Sequence, residues 1–173
     1  MNESDLLPRA MAGDTAGFGA LVRLHQSAVR GFLMRLTRGD AAMADDLAQE
    51  TFLEAFRKIA QFQGRGSFAG WLYRIAWSRY LMQARRRKLE SLDEANFEPA
   101  TLDPENAHLA RLDLETAMAK LAPAERAALT LCFALGQSHE EAALTLNLPL
   151  GTLKSHVLRG REKLQAMLQA WRE

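Results

Sequence analysis

Apolar residues along this chain recur at helical rather than strand spacing. Phe18, Leu21, Val22, Val29, Phe32, Leu33 and Leu36 return to one face of a helix, and Asp14 is placed to cap its start. A second stripe, Leu47, Ala48, Phe52, Ala55, Phe56 and Ile59, predicts a helix over residues 41–60. Gly64 and Gly66 break the pattern, so residues 61–67 are expected to form a loop. A third helix is expected over residues 68–88. No window alternates with period two, so no strand is expected. The expected fold is all-α.

Periodicity fades after residue 90, where Pro99 and Pro104 interrupt the chain. Residues 90–104 are expected to be a flexible linker between two helical domains, residues 1–89 and 105–173. In the second domain, helices are expected at residues 105–121 and 124–135, with Pro123 suited to a first turn. Ser138 followed by Glu141 forms a capping box that starts another helix. That helix ends near Leu146 and Asn147; Pro149 and Gly151 mark a turn and a restart. The last helix turns Leu153, Val157, Gly160, Leu164 and Leu168 to the core. It presents Lys154, Ser155, Leu158 and Arg159 outward, with His156 at the edge. Two helices, a tight turn and a basic second face predict a helix-turn-helix, whose second helix enters a DNA major groove. Thr152 and the free amides beside it suit a phosphate. The alternative is an ordinary helical hairpin with solvated lysines.

The charge pattern adds a second candidate surface. The whole chain is nearly neutral at +1, yet residues 64–89 carry Arg65, Arg74, Arg79, Arg85, Arg86, Arg87 and Lys88 and no acid. Phe68, Trp71, Tyr73, Trp77 and Tyr80 lie among them. Cations that meet phosphates, with rings that stack on unpaired bases, suit a single-stranded nucleic acid. The competing explanation is that the rings are core and the arginines a solvated face. Trp71 belongs with Phe68, Leu72 and Ile75 on a core face. Tyr73, Trp77 and Tyr80 fall on another side, so one apolar face of this helix must meet a second partner, protein or DNA. On the 41–60 helix, Asp46, Gln49, Glu50 and Leu53 share a face away from the apolar stripe, a pattern that suits a protein contact.

Other chemistry finds little support. The single cysteine, Cys132, cannot form an internal disulfide and sits in an apolar run. The start of the chain has acids at Glu3 and Asp5 and no signal-peptide core, and no apolar run approaches the ~20 residues of a membrane span, so the protein is expected in the cytoplasm. The window GRGSFAG has neither the spacing nor the preceding strand of a phosphate-binding loop. His139, Glu140 and Glu141 lack the second histidine of a zinc-protease motif, and His25 stands alone. No acid–base constellation, metal or cofactor site is indicated.

Three stretches together resemble the extracytoplasmic-function sigma factors of bacteria: DDLAQETFLEAFRK (residues 45–58), FQGRGSFAGWLYRIA (62–76) and LPLGTLKSHVLRGREKL (148–164). The last stretch is also similar to LuxR-type regulators, so a stand-alone helix-turn-helix regulator is the alternative. The resemblance implies that the first domain corresponds to sigma region 2 and the second to region 4. It implies contact with core RNA polymerase, at the β′ clamp helices and the β flap, and docking through Asp46, Gln49, Glu50 and Phe56. It implies promoter DNA as a second partner. The loop Phe62, Gln63, Gly64, Arg65, Gly66 and Ser67 would receive a flipped-out base of the −10 element. Tyr73, Arg74, Trp77, Ser78, Leu81 and Arg85 would lie along the opened strand. Thr152, Lys154, Ser155, His156, Leu158 and Arg159 would read the −35 element. An anti-sigma factor is implied as a regulator that could hold the protein at the membrane, and no small-molecule substrate is implied. Ser78, Trp77, His156 and Gly160 depart from the residues common in that family (Asn, a small residue, Arg and Ala).

Overall fold

A computed structural model describes residues 2–93 and 109–170. Eight α-helices account for most of the described residues, and no strand occurs among them. The first domain comprises α1 (Glu3–Met11), α2 (Thr15–Leu36), α3 (Ala41–Lys58) and α4 (Phe68–Asp93). The second comprises α5 (Leu109–Ala119), α6 (Pro123–Leu129), α7 (His139–Leu146) and α8 (Leu150–Ala170). A 3₁₀ turn at Ile59–Gln61 extends α3, and a π-helical turn at Thr130–Ala134 extends α6.

Capping fixes most of these starts. The Asp14 carboxylate accepts from the amides of Ala16 and Gly17, and Asp40 accepts from Met43. The Gly17 and Arg9 hydrogen bonds hold the Asp14 carboxyl below its ordinary range. The Ser138–Glu141 capping box is present in both directions. Asn147 closes α7 in the left-handed conformation at φ 53°.

Three elements differ from the periodicity reading. The periodicity reading places no helix before residue 14, yet α1 forms there with Pro8 inside it, and Leu6 and Ala10 bury its inner face. His25 is not isolated: its Nε2 lies 2.5 Å from the Glu3 carboxylate, which ties α1 to α2, and its ring meets the edge of Phe68. The helix α4 runs on to Asp93, past the expected end at residue 88; residues 85–91 are all exposed, so no buried stripe marks this extension. The rest of the expected linker and the expected start of the second domain at residue 105 lie outside the described residues.

Phe32, Leu33, Leu36, Leu47, Leu72 and Ala76 form the dry centre of the first domain. Leu121, Leu131, Ala142, Leu153 and Val157 form that of the second. Gly160 has a packing reason to be glycine. A Cβ there would lie 2.8 Å from Leu129 Cδ1, so the absent side chain lets α8 settle closely on α6.

Candidate nucleic-acid and polymerase interfaces

On α3, the packing of Ala44, Leu47, Thr51 and Ala55 inward leaves Asp46, Gln49, Glu50 and Leu53 on the outer face, all exposed. Phe56 is also exposed, its ring edge-on to Phe18 at 5.1 Å between centroids. Beside this face lies a groove that the sequence did not reveal. Phe18, Val22, Ala48, Phe52, Leu53 and Phe56 line it, and an ion pair between Arg30 Nε and Asp45 Oδ1, 2.5 Å apart, borders it. Large apolar side chains left open beside a polar rim are the composition of a protein-binding surface. Phe52 and Phe56, at the edge of the α3 stripe, were the only signal in the sequence.

The loop before α4 keeps its expected form. Gly64 and Gly66 have φ of 66° and 79°, which L side chains rarely adopt. Gln63, Gly64, Arg65, Gly66 and Ser67 are exposed, whereas Phe62 turns inward onto Phe68 and Trp71. Ser67 caps α4 through its hydroxyl, which accepts from the Gly70 amide at 3.0 Å.

The aromatic residues of α4 correct the expectation of base-stacking rings. Tyr73 packs edge-on against Phe32, and burial raises its hydroxyl pKa. Trp77, 7% exposed, stacks on Tyr80. Tyr73 and Trp77 are therefore core residues, and the second apolar face of α4 meets protein. Trp71, placed in the core from the sequence, is only partly buried. The cations also divide. Arg79 is ion-paired with Glu54, which Lys58 also holds, and these contacts outweigh burial to lower the Glu54 pKa. Arg87 lies 3.9 Å from Asp40. Arg74, Ser78 and Arg85 remain exposed, and Leu81 is half-buried.

The α8 face keeps its expected exposure. Thr152, Lys154, Ser155, Leu158 and Arg159 are exposed, and His156 is half-buried. Glu125 of α6, 4% exposed, anchors this helix from behind. It accepts from Lys163 Nζ at 2.9 Å on both oxygens and lies 3.8 Å from Arg159 Nε. Burial acts to raise the Glu125 pKa, but Lys163, the Ala122 amide and Arg159 outweigh it, so the net shift is downward. Arg159 Nη2 donates to His156 Nδ1 at 3.1 Å. Burial, with the Arg159 charge, lowers the His156 pKa and favours the neutral acceptor.

Comparison with known proteins joins these surfaces. The Sigma-70 region 2 family matches residues 21–90, and the Sigma-70 region 4 family matches residues 111–164. The RNA polymerase sigma-H factor of Pseudomonas aeruginosa is 32% identical over 96% of this chain and 94% of its own length. The ECF RNA polymerase sigma-E factor of Haemophilus influenzae is 33% identical over 98% and 96%. ECF sigma factor SigE of Mycolicibacterium smegmatis is 40% identical over 86% of this chain, which spans 60% of that longer protein. Among solved structures, sigma factor RpoE of Bartonella quintana, in complex with the anti-sigma factor NepR, aligns with a TM-score of 0.78 and 30% identity, covering 88% of this chain and 96% of that one. CnrH, in complex with the cytosolic domain of CnrY, aligns at 0.71 and 28%, covering 95% and 96%.

A chain with region 2 and region 4 in this order is built on the sigma-70 plan. This one belongs to the ECF RNA polymerase sigma factors. The alternative of a stand-alone LuxR-like regulator finds no support, because that reading leaves the whole first domain unexplained. No described helix is long and apolar enough to cross a membrane.

Proposed function

We propose that the chain docks on core RNA polymerase through the outer face of α3 and carries it to promoters read at two places. Asp46, Gln49, Glu50, Leu53 and Phe56 meet the β′ clamp helices. The apolar groove beside them takes part in the same contact. A second apolar groove, with Phe133 at 64% exposure, Leu114 and Met118 along it, meets the β flap. Exposed apolar side chains within a charged border support both assignments: acids beside the first groove, and Arg35, Glu115 and Arg161 beside the second.

In this reading the loop Gln63 to Ser67 takes an unstacked −10 base. Its two left-handed glycines let the backbone approach the base. Arg74, Ser78, Leu81 and Arg85 run along the strand. Opening costs a few kcal/mol per unstacked base. Capture of the exposed strand offsets part of that, so affinity for the open form drives melting. The α8 face reads the −35 major groove with Lys154, Ser155, His156, Leu158 and Arg159, and Thr152 with the α8 amides holds a phosphate. The chain acts by binding rather than by covalent catalysis, uses no small-molecule substrate, and works in the cytoplasm beside the polymerase. An anti-sigma factor regulates it, by binding as NepR binds the sigma factor RpoE of Bartonella quintana.

The observation that carries this reading is the exposed Asp46–Gln49–Glu50–Leu53 face on a buried-backed helix, in a chain matched by both sigma regions. The double variant Asp46→Ala, Gln49→Ala tests it. Binding to purified core polymerase should fall by about 30-fold or more, as for residues at the centre of an interface. Helicity and melting temperature should stay as in the parent. Undiminished binding by the folded variant would refute the docking assignment.

A further inference from the structure

His156 and Arg159 stand one helical turn apart on α8, so their side chains meet on its surface. Arg159 is exposed and His156 half-buried. A long arginine side chain on a helix surface samples many rotamers, and ordering it on a base costs entropy. This one is held at two points before DNA arrives. Its Nη2 donates to His156 Nδ1 at 3.1 Å, and its Nε lies 3.8 Å from Glu125 Oε1.

The two partners act differently. Buried Glu125 already accepts from Lys163 Nζ at 2.9 Å on both oxygens. At 3.8 Å the Arg159 Nε is too far for a hydrogen bond, so Glu125 attracts the guanidinium without capturing it. Lys163 thereby keeps this carboxylate from drawing Arg159 back onto α6. His156 supplies the directional contact. To accept on Nδ1 its ring must be neutral, with the proton on Nε2. Nη2 gives one proton to that contact; its other proton and those of Nη1 stay available for a fork onto guanine O6 and N7. An arginine at position 156 offers no acceptor and could not hold its neighbour in this way.

We propose that His156 is a positioning residue for −35 reading: its Nδ1 aims the Arg159 guanidinium at a guanine. This rests on assigning Arg159 to the −35 major groove. Protonation of His156 removes the acceptor and sets a second cation beside Arg159. The helices α5, α6 and α7 pack against α8; of their charged groups Glu125 of α6 acts on the ring, and on α8 itself Arg159 does. Burial and the Arg159 charge hold the His156 pKa below its ordinary value, and Glu125 opposes them. The acceptor is therefore present at neutral pH and lost as pH falls through that pKa, so guanine preference should decline in acid. Phosphates attract an imidazolium, which moves total DNA affinity the other way. A ratio of two affinities at the same pH separates preference from that general attraction.

The test uses reconstituted holoenzyme and a duplex promoter selected from a randomised library. The ratio of affinities for guanine over adenine is measured at the −35 position where Arg159→Ala loses its preference. Parent, His156→Ala, His156→Asn and the double variant His156→Ala, Arg159→Ala are compared. None of the changes at 156 alters the charge of the neutral ring, and the Asn amide oxygen can stand near the place of Nδ1 without titrating. At about pH 7.5 His156→Ala should lower the ratio about fivefold, as for one lost hydrogen bond, and His156→Asn by less than about twofold. In the Arg159→Ala background His156→Ala should cause no further loss. Between about pH 8 and pH 5.5 the ratio of the parent should fall about fivefold, and that of His156→Asn should stay level. An unchanged ratio in His156→Ala would overturn the positioning role and leave Arg159 as the reader. A further loss in the double variant would show that His156 contacts DNA itself, which overturns it as well. If Arg159→Ala keeps every base preference, the −35 assignment of Arg159 fails and this proposal with it. Should His156→Ala fail to fold, the parent decides: a ratio that holds level into acid contradicts the proposal.

Discussion

The two helices assigned to DNA, α4 and α8, spend their cations differently, and only α4 carries Phe, Tyr and Trp rings among them. On α8 the outward side chains are exposed, and the buried Glu125 holds the helix from behind through Lys163. On α4 the rings of Tyr73, Trp77 and Tyr80 are core, Arg79 is ion-paired with Glu54, and Arg74 is bonded to α7. Cations thus stay on an open surface in one helix, while in the other the rings and several of the cations build a packing surface. Composition alone cannot separate the two, because a ring gains as much from a core as from a base.

The sharpest way to break this comparison is Trp77→Ala. As a core side chain, Trp77 should contribute about 3–5 kcal/mol, read as a lowered urea midpoint of the free protein. A loss below about 1 kcal/mol, with single-stranded DNA binding abolished, would return the ring to the DNA face.

Next in size is Arg159→Ala. It should weaken a −35 site by about 1–3 kcal/mol at a guanine if the contact is bidentate. Quantitative binding to a set of single-base variants checks this. Equal weakening on every sequence would make Arg159 a phosphate contact.

Gly160→Ala tests the close approach of α8 to α6. A Cβ 2.8 Å from Leu129 Cδ1 overpacks a buried contact, which costs about 1–3 kcal/mol. The gain in helix propensity offsets about 1 kcal/mol of that. The net expectation is a modestly lower melting temperature; a rise would show that Leu129 yields freely.

The smallest effect is in acid. The Glu125 carboxyl is held below its ordinary 4.5, so its contribution is present above that value. Stability should decline as pH falls through and below it, and Glu125→Gln should lack that part of the acid slope. Thermal melts of both proteins from neutral pH to pH 3 measure the difference, and identical slopes would contradict it.

Local signals made the helix-turn-helix fully legible. The Ser138 capping box, the left-handed Asn147 and the core positions Leu153, Val157 and Gly160 are each set within a few residues of chain. The exposed face of α3 was legible for the same reason, since helical period alone separates Asp46, Gln49 and Glu50 from Leu47 and Thr51. The role of α4 was not. Whether Tyr73 or Trp77 meets protein or DNA depends on Phe32, about 40 residues away, and on a second domain beyond the linker. Helix α1 was not legible, because it is short, only Leu6 and Ala10 are buried on it, and Glu3 and His25 give no periodic sign of each other. Arg126 was equally silent, because nothing in its neighbourhood announces that it reaches α2.

The central claim is that this chain, on core polymerase, opens promoter DNA at the −10 element. Permanganate reactivity of thymines reports that opening directly, on a promoter selected from a randomised library with the reconstituted holoenzyme. Thymines in the −10 region should become reactive only when polymerase and this chain are both present, and Arg74→Ala should suppress them. A transcribing holoenzyme with no reactive −10 thymines, or polymerase that opens the same promoter without this chain, would contradict the account.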